Sequence, residues 1–264
     1  MPCTCLTIKL TNLAARYSVA IPSDWVLETT HKAGFLAGSD AQALLPWRYE
    51  RRFVELRNLV NEPTVENVVM CRFSCNAQPG FMSLEEILYR EFDLCEFLVG
   101  SEIVGVYAAI TDGPHGARFA NLLVKLANDV VCSVEAGTTL KDGGEKKIID
   151  RHELIGRRGV ASDRVVDTHV PQDSVYVFTD GKTEVYTDTD SELFGLSNEK
   201  INLIRAAFDL AKTPSKKEAI DAQHTRLTAL VAAAFEANQT KQYINVKARN
   251  DAREAILDGK RGQA

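Results

Sequence analysis

The sequence predicts an α+β fold: a mainly antiparallel open sheet with helices on one face, preceded by a short β-α-β segment. Two patterns predict it. From Thr64 to Asp188 the chain is a succession of strand-like segments, broken at Gly, Asn and Asp turns that are spaced like hairpins. Helical patterns stand before, inside and after that run, as expected where helices cover one face of an antiparallel sheet. Apolar residues make up 45% of the 264, enough to bury a sizeable core in one large domain or one and a half.

In chain order, residues 4–10 alternate like a strand, and Arg16–Ile21 is a second strand candidate stopped by Pro22. Ser23 then caps an expected helix that ends near Gly34, and FLAGS follows as a short strand. Residues 40–62 form a helix after Pro46, with Phe53, Leu56, Leu59 and Val60 on its apolar face. The VENVVMCRFSCN strand leads into the central pattern, PGFMSLEEILYREFDLCEFLVG (Pro79–Gly100). Ile87, Leu88, Phe92, Leu94, Cys95, Phe97 and Leu98 give this segment an apolar stripe at helical spacing. Ser83 with Glu86 three residues on makes a capping box, and Gly100 ends the helix. Strands follow in EIVGVYAAITD, in ARFANLLVKLANDVVCSVEAGTTL with a turn at LANDV, in KKIIDRHELIGRRGVASDRV, and in DSVYVFTDG and TEVYTD with a hairpin turn at 180–182. Two further helices are SNEKINLIRAAFDLAKTP and EAIDAQHTRLTALVAAAFEANQTKQ.

Composition excludes several classes. Net charge is −5 with scattered Lys and Arg, so there is no basic patch for nucleic acid. The apolar runs fall short of the roughly 18 residues that a membrane-spanning helix needs, so no membrane partner is expected. The N-terminus lacks the charged and apolar regions of a signal peptide. Six cysteines, Cys3, Cys5, Cys71, Cys75, Cys95 and Cys132, sit mostly inside apolar patterns, which fits reduced thiols and a cytoplasmic setting. Cys3-Thr-Cys5 has no second ligand pair nearby, so no metal site is expected there. Cys71 and Cys75 read as small buried apolar residues.

The candidates for chemistry start on the central helix. Glu86 and Arg90 are four apart and share a face, as do Tyr89 and Asp93, and these groups either line a site or form a solvated face. Arg48, Arg51 and Arg52 cluster where the 40–62 helix begins. There they oppose the helix dipole and serve either as a solvated cluster or in anion or sugar recognition. His115 lies in the turn-rich DGPHG loop with Asp112 three residues away, a catalytic or metal candidate set against the ordinary polarity of loops. His152 follows Arg151 in a strand and is expected to pack or to face solvent. His31 and His224 fall on helix faces, and His169 precedes Pro171 at a sheet edge. No His pair has metal-ligand spacing, DTDSE at 188–192 fits no calcium loop, and neither a Gly-x-Gly-x-x-Gly nor a Walker-type loop occurs.

The order of these elements resembles the C-terminal, substrate-side domain of the Gfo/Idh/MocA sugar and cyclitol oxidoreductases, from about Gly38 to Val246. Three stretches carry the resemblance: REFDLCEFLVGSEIVGVYA, RHELIGRRGVASD, and IDAQHTRLTALVAAAFEANQTKQYINV. The resemblance implies two regions. Residues 1–40 would be a remnant of a nucleotide-binding domain, and 41–264 a substrate-side and oligomerisation domain. It implies a carbohydrate-like ligand, a homo-oligomer formed through the open sheet, and NAD(P) only if a partner chain supplies the Rossmann domain. This chain departs from the family twice. Ala20-Ile21-Pro22 stands where the family has Glu-Lys-Pro, so the active-site lysine is absent. Glu86 and Arg90 stand where it has an Asp and, four residues later, an acid/base His. Arginine stays charged and cannot shuttle a proton as imidazole does, but it can clamp a carboxylate or hold a sugar oxygen. Three functions follow as expectations. The chain is a divergent or accessory oxidoreductase, with Glu86, Tyr89, Arg90 and His115 as catalytic candidates and Arg48, Arg51 and Asp93 for substrate. Alternatively it is a non-catalytic sugar-binding or scaffolding member, or a cofactor-free isomerase or lyase using Tyr89, Glu86 and His115.

Overall fold

The computed structural model describes residues 4–28, 35–37, 42–61, 65–140, 147–164, 174–179, 182–187 and 196–246. Its first element corrects the expected strands at 4–10 and 16–21. Thr4–Arg16 is a helix, α1, followed by a turn and irregular chain. Leu6, Ile8 and Leu10 alternate, but Leu6, Leu10 and Ala14 also recur every fourth residue. Only that second set is buried, and Ile8 is left 54% exposed. The helix expected from Ser23 is corrected as well, because Val26–Glu28 is a strand, β1. It pairs antiparallel with β2 (Phe35–Ala37), and β2 pairs antiparallel with β3 (Gln42–Ala43). The expected β-α-β segment is therefore a helix followed by a small antiparallel sheet.

The helix expected after Pro46 forms as α2 at Arg51–Asn61, but β3 and a 3-10 turn at Pro46–Tyr49 precede it within 40–62. Pro46 explains the break, since it opens the turn with its fixed φ and lacks the N–H that a longer helix would need there.

The main sheet is built from β4 (Met70–Ala77), β5 (Ile103–Asp112), β6 (Arg118–Leu126), β7 (Val131–Gly137), β8 (Ile148–Ile155), β9 (Gly159–Ser162), β10 (Ser174–Thr179), β11 (Lys182–Thr187) and β12 (Ile244–Asn245). Its order is β11-β10-β9-β8-β4-β7-β6-β5-β12. The sheet is mixed, because β4 and β7 run parallel. Direction follows from connectivity. The helix α3 (Leu84–Val99) carries the chain from β4 to β5, across the sheet and in the same sense, and two hairpin reversals then return β7 beside β4.

Helix α3 forms where the sequence places it. The Ser83 hydroxyl accepts from Glu86 N–H at 3.2 Å, and Glu86 Oε2 accepts from Ser83 N–H at 2.7 Å. Gly100 closes the helix at φ 69°, a conformation costly for a residue with a Cβ. Ile87, Leu88, Phe92, Leu94 and Cys95 are fully buried against the sheet, and burial stabilises by about 1.5–3 kcal/mol for each large apolar side chain. Helix α5 (Lys216–Thr240) packs beside α3 and β5, and α2 packs on α3 from the other side. A second, smaller core joins Leu6, Leu10, Leu27 and Leu44 to Leu203, Ile204 and Leu210 of α4 (Asn198–Lys212).

On β6 the residues Ala120, Leu122, Val124 and Leu126 face the helices and are buried, while Phe119 and Leu123 point the other way and are exposed. Tyr107 and Ile149 are exposed on the same outer surface, as strand register with Leu123 and Phe119 requires. The sheet is thus covered by helices on one face. No helix among the described residues is long and apolar enough to cross a membrane.

Candidate functional site

Strand β8 should bury apolar residues at every second position on its inner face. Instead that face carries Asp150 and His152 before Leu154. The His152 side chain is fully buried, with Phe53 and Phe73 packed edge-on to its ring at 4.8 and 5.0 Å. Its Nδ1 lies 2.7 Å from Asp163 Oδ2, and its Nε2 lies 2.9 Å from Glu91 Oε2 on α3. Carboxylates only accept, so two carboxylate partners require both ring nitrogens to carry protons. Burial works against the charge, but Asp163 and Glu91 outweigh it and raise the imidazole to about 9.

Two arginines complete the cluster. Arg52 of α2 donates to both oxygens of Asp150 at 2.9 and 2.8 Å, to Asp163 at 3.0 Å and to Glu50 at 2.9 Å. Arg90 of α3 donates to Glu91 at 2.8 Å and to Asp150 at 2.6 Å. Burial alone would raise the Asp150 and Asp163 carboxyls. The cations hold them below the usual range, Arg52 and Arg90 at Asp150, His152 and Arg52 at Asp163. Three cations and four carboxylates therefore neutralise one another almost completely between α2, α3 and the sheet. The cluster ties these elements together, with His152, Glu91 and Asp163 buried at its centre.

A second polar group lies further along α3. Asp93, fully buried, accepts from Trp47 Nε1 at 2.6 Å and from Arg48 Nε at 2.8 Å, and it pairs with Arg48 Nη2. Gln223 of α5 donates its amide to Asp93 at 3.0 Å and to Glu96 at 2.9 Å. Glu96 also accepts from Ile103 N–H and from Arg226 Nε. Beside these groups opens a pocket of ≈ 220 Å³, lined by Arg48, Arg57, Glu96, Phe97, Glu102 and Gln223, with Gly100 and Ser101 at its edge.

The structure sorts the sequence candidates. Glu86 is engaged in the capping box, accepting from Ser83 N–H at the start of α3. Arg90 is buried and held by two carboxylates. Tyr89 shares a 2.8 Å hydrogen bond with His224, and burial followed by the Asp93 charge pushes its phenol well above the ordinary value, the wrong direction for a base. His115 is exposed in the short turn between β5 and β6, where it has no hydrogen bond or ion pair among the described residues. Arg48 and Asp93 meet as an ion pair. Arg51 does not join them: it is half-exposed and pairs with Glu55 one helical turn on. Among the described residues no hydrogen bond or ion pair joins Tyr89, Glu86 and His115 to one another. Cys71, Cys75, Cys95 and Cys132 are free and buried, as expected, and no metal-ligand cluster occurs among the described residues.

Solved structures share this fold. An oxidoreductase from Agrobacterium radiobacter, solved with NAD+, L-tartaric acid and magnesium, matches 77% of this chain and 64% of its own at 13% identity, with a TM-score of 0.63. Levoglucosan dehydrogenase with NADH and levoglucosan matches 76% and 65% at 14% identity, TM-score 0.59. The transcriptional regulator Gal80p from Kluyveromyces lactis matches 78% and 60% at 14% identity, TM-score 0.59. The chain shares its fold with these oxidoreductases and with this regulator. It spans less than two thirds of the length of each of these structures. No protein-family profile and no curated protein sequence matches it.

A doubly wound dinucleotide-binding unit holds the pyrophosphate where a parallel strand runs through a glycine-rich turn into a helix N-terminus. The described residues between 4 and 61 offer a helix, antiparallel strands and α2 instead, and the sequence has no glycine fingerprint. They do not fit the cofactor. The residues of the two polar clusters and the pocket that the sequence reading does not place among its candidates are His152, Asp150, Asp163, Glu91, Glu96, Phe97 and Gln223. One signal was available: Asp150 and His152 occupy alternate positions on one face of a strand that begins Ile-Ile and ends Leu-Ile, so a polar pair had to enter the core.

Proposed function

We propose that this chain is a non-catalytic member of the Gfo/Idh/MocA family that binds a carbohydrate-like molecule without oxidising it. One observation carries the reading. At the position where the resemblance implies the proton-transferring histidine, Arg90 is buried and held between Glu91 and Asp150. A guanidinium cannot exchange its proton at working pH, and freeing this one would take one of the two cations from buried Glu91 and from partly buried Asp150. Gal80p, a transcriptional regulator, is of the same fold, so the fold is not confined to enzymes. In this reading residues 1–40 are what remains of a nucleotide-binding unit, of which α1 and Leu27 pack with α4, and 41–264 form the ligand-side domain. The outer sheet face, with Tyr107, Phe119, Leu123 and Ile149 exposed, pairs with a second copy. Sedimentation should then show a dimer that Leu123→Lys dissociates, and a monomeric wild type would remove this part of the reading.

The test of catalysis is direct. The purified chain and its Arg90→His variant are mixed with NAD+ or NADP+ and a panel of sugars and cyclitols, and NAD(P)H absorbance is followed. Neither protein should form NAD(P)H, and steady turnover by the wild type would overturn the reading. A second reading is favoured by the missing glycine fingerprint: the chain is an accessory subunit whose dinucleotide domain comes from another chain. Turnover that appears only on adding a co-purifying Rossmann-domain protein would support that reading over the first.

A further inference from the structure

The pocket at the C-terminal end of α3 is built from the inside outward. Asp93 and Glu96 are buried, and between them they fix the groups in front of them. Both donations of the Gln223 amide nitrogen go to these two carboxylates, which turns its carbonyl oxygen away from them. A carboxylate cannot donate, so the amide has only this orientation. Arg48 spends Nε and Nη2 on Asp93, which leaves Nη1 on the opposite edge of the guanidinium. The guanidiniums of Arg48 and Arg57 lie over the Phe97 ring, at 5.3 and 4.4 Å from its centroid. On the other side, Glu102 stands 3.5 Å from Arg226 with its side chain largely exposed.

The lining thus mixes a fixed acceptor with fixed donors, and its charges balance: two arginines against Glu96 and Glu102. A balanced lining gives neither an anion nor a cation the net attraction that would offset its dehydration. A hydroxyl both donates and accepts, so neighbouring hydroxyls can meet an amide oxygen and a guanidinium N–H together. At ≈ 220 Å³ the pocket is smaller than the roughly 300–1,000 Å³ typical of drug-sized ligands, which limits the occupant to a small molecule.

We propose that this pocket binds a small uncharged polyol through vicinal hydroxyls, one donating to the Gln223 carbonyl oxygen and its neighbour accepting from Arg48 Nη1. The site lies beyond Arg90 along α3, towards Gly100, and it deepens the reading of the chain as a ligand binder, on which it rests.

The experiment uses the full chain, with ribitol as the neutral probe and ribonate as its anionic counterpart. Binding is followed by calorimetry and by saturation-transfer NMR that reads the Phe97 ring protons. Ribitol should bind in preference to ribonate and contact Phe97. Gln223→Met should weaken ribitol about three- to tenfold, the worth of one neutral hydrogen bond. Because that variant also removes two bonds to buried carboxylates, Glu102→Gln at the exposed rim serves as the second. It makes the lining net positive and should improve ribonate relative to ribitol by about three- to fivefold. Absence of ribitol binding, tighter binding of ribonate by the wild type, or unchanged affinities in both variants would overturn the pocket. NAD(P)-dependent turnover would overturn the non-catalytic reading and leave the pocket standing, so the two failures are distinct.

Discussion

Replacing His152 by glutamine removes the imidazolium that separates Glu91 from Asp163, and with it a defined pH dependence of stability. The folded value of about 9 stands above the ordinary 6.5. The stabilisation from protonated His152 is therefore fully present below pH 6.5 and is lost as pH rises through 9. A shift of that size corresponds to about 3 kcal/mol, at 1.36 kcal/mol per unit. For a chain of this size it should lower Tm by roughly 6–12 °C between the two ends of the window. The assay is urea unfolding of wild type and His152→Gln at several pH values from 6 to 10. Buried thiols such as Cys75, raised by burial, also destabilise the fold at the alkaline end. They are common to both proteins and cancel in the difference. The wild type should lose about 3 kcal/mol relative to the variant across this range. At pH 6 the variant should itself be less stable by about 3–5 kcal/mol, because two buried carboxylates have lost their shared cation. The opposite limb belongs to Asp150 and Asp163, whose lowered values give stability that is lost as pH falls below the ordinary 3.8. Parallel pH profiles for the two proteins, or an imidazole that titrates near 6.5 by NMR, would refute the assignment of a protonated His152.

Other consequences can be checked by denaturation. Arg90→Leu should destabilise by about 3–5 kcal/mol, since it strips a cation from buried Glu91 and from partly buried Asp150, and a change below about 1 kcal/mol would show that Arg90 is not held as described. Ser83→Ala should cost about 0.5–2 kcal/mol by opening the α3 cap, and the double variant with Glu86→Ala should cost less than the sum of the two singles. At Gly156 an added Cβ would lie 2.3 Å from the Val65 carbonyl oxygen, so Gly156→Ala must move backbone and should cost about 1–3 kcal/mol. At Gly105 the clash is with the Tyr243 side chain, so Gly105→Ala should be nearly neutral in a Tyr243→Ala background.

The sequence by itself determined what depends on local periodicity and local chemistry. The α3 helix was legible because its apolar stripe, its Ser83–Glu86 cap and its Gly100 stop lie within one window and agree. The hairpins were legible because turn residues separate β-branched runs. Where two periods fit the same residues, as at Leu6, Ile8 and Leu10, only packing on α4 decided, since burying Leu6 and Leu10 together was possible either way but leaving Ile8 outside was not. Similarly, the helix after Pro46 was legible in the spacing of Phe53, Leu56 and Leu59, but the 3-10 turn at Pro46–Tyr49 that delays its start to Arg51 was not. The parallel β4–β7 pair and the sheet order are long-range properties that connectivity fixes and spacing does not. The site needed tertiary structure most. Arg90 and Glu86 looked available on one helix face, yet the cap takes Glu86, and Asp150, 60 residues further along the chain, takes Arg90. Charge partners so distant in sequence meet only when the sheet and α3 are packed, and that meeting turned a presumed reactive face into a neutralised core.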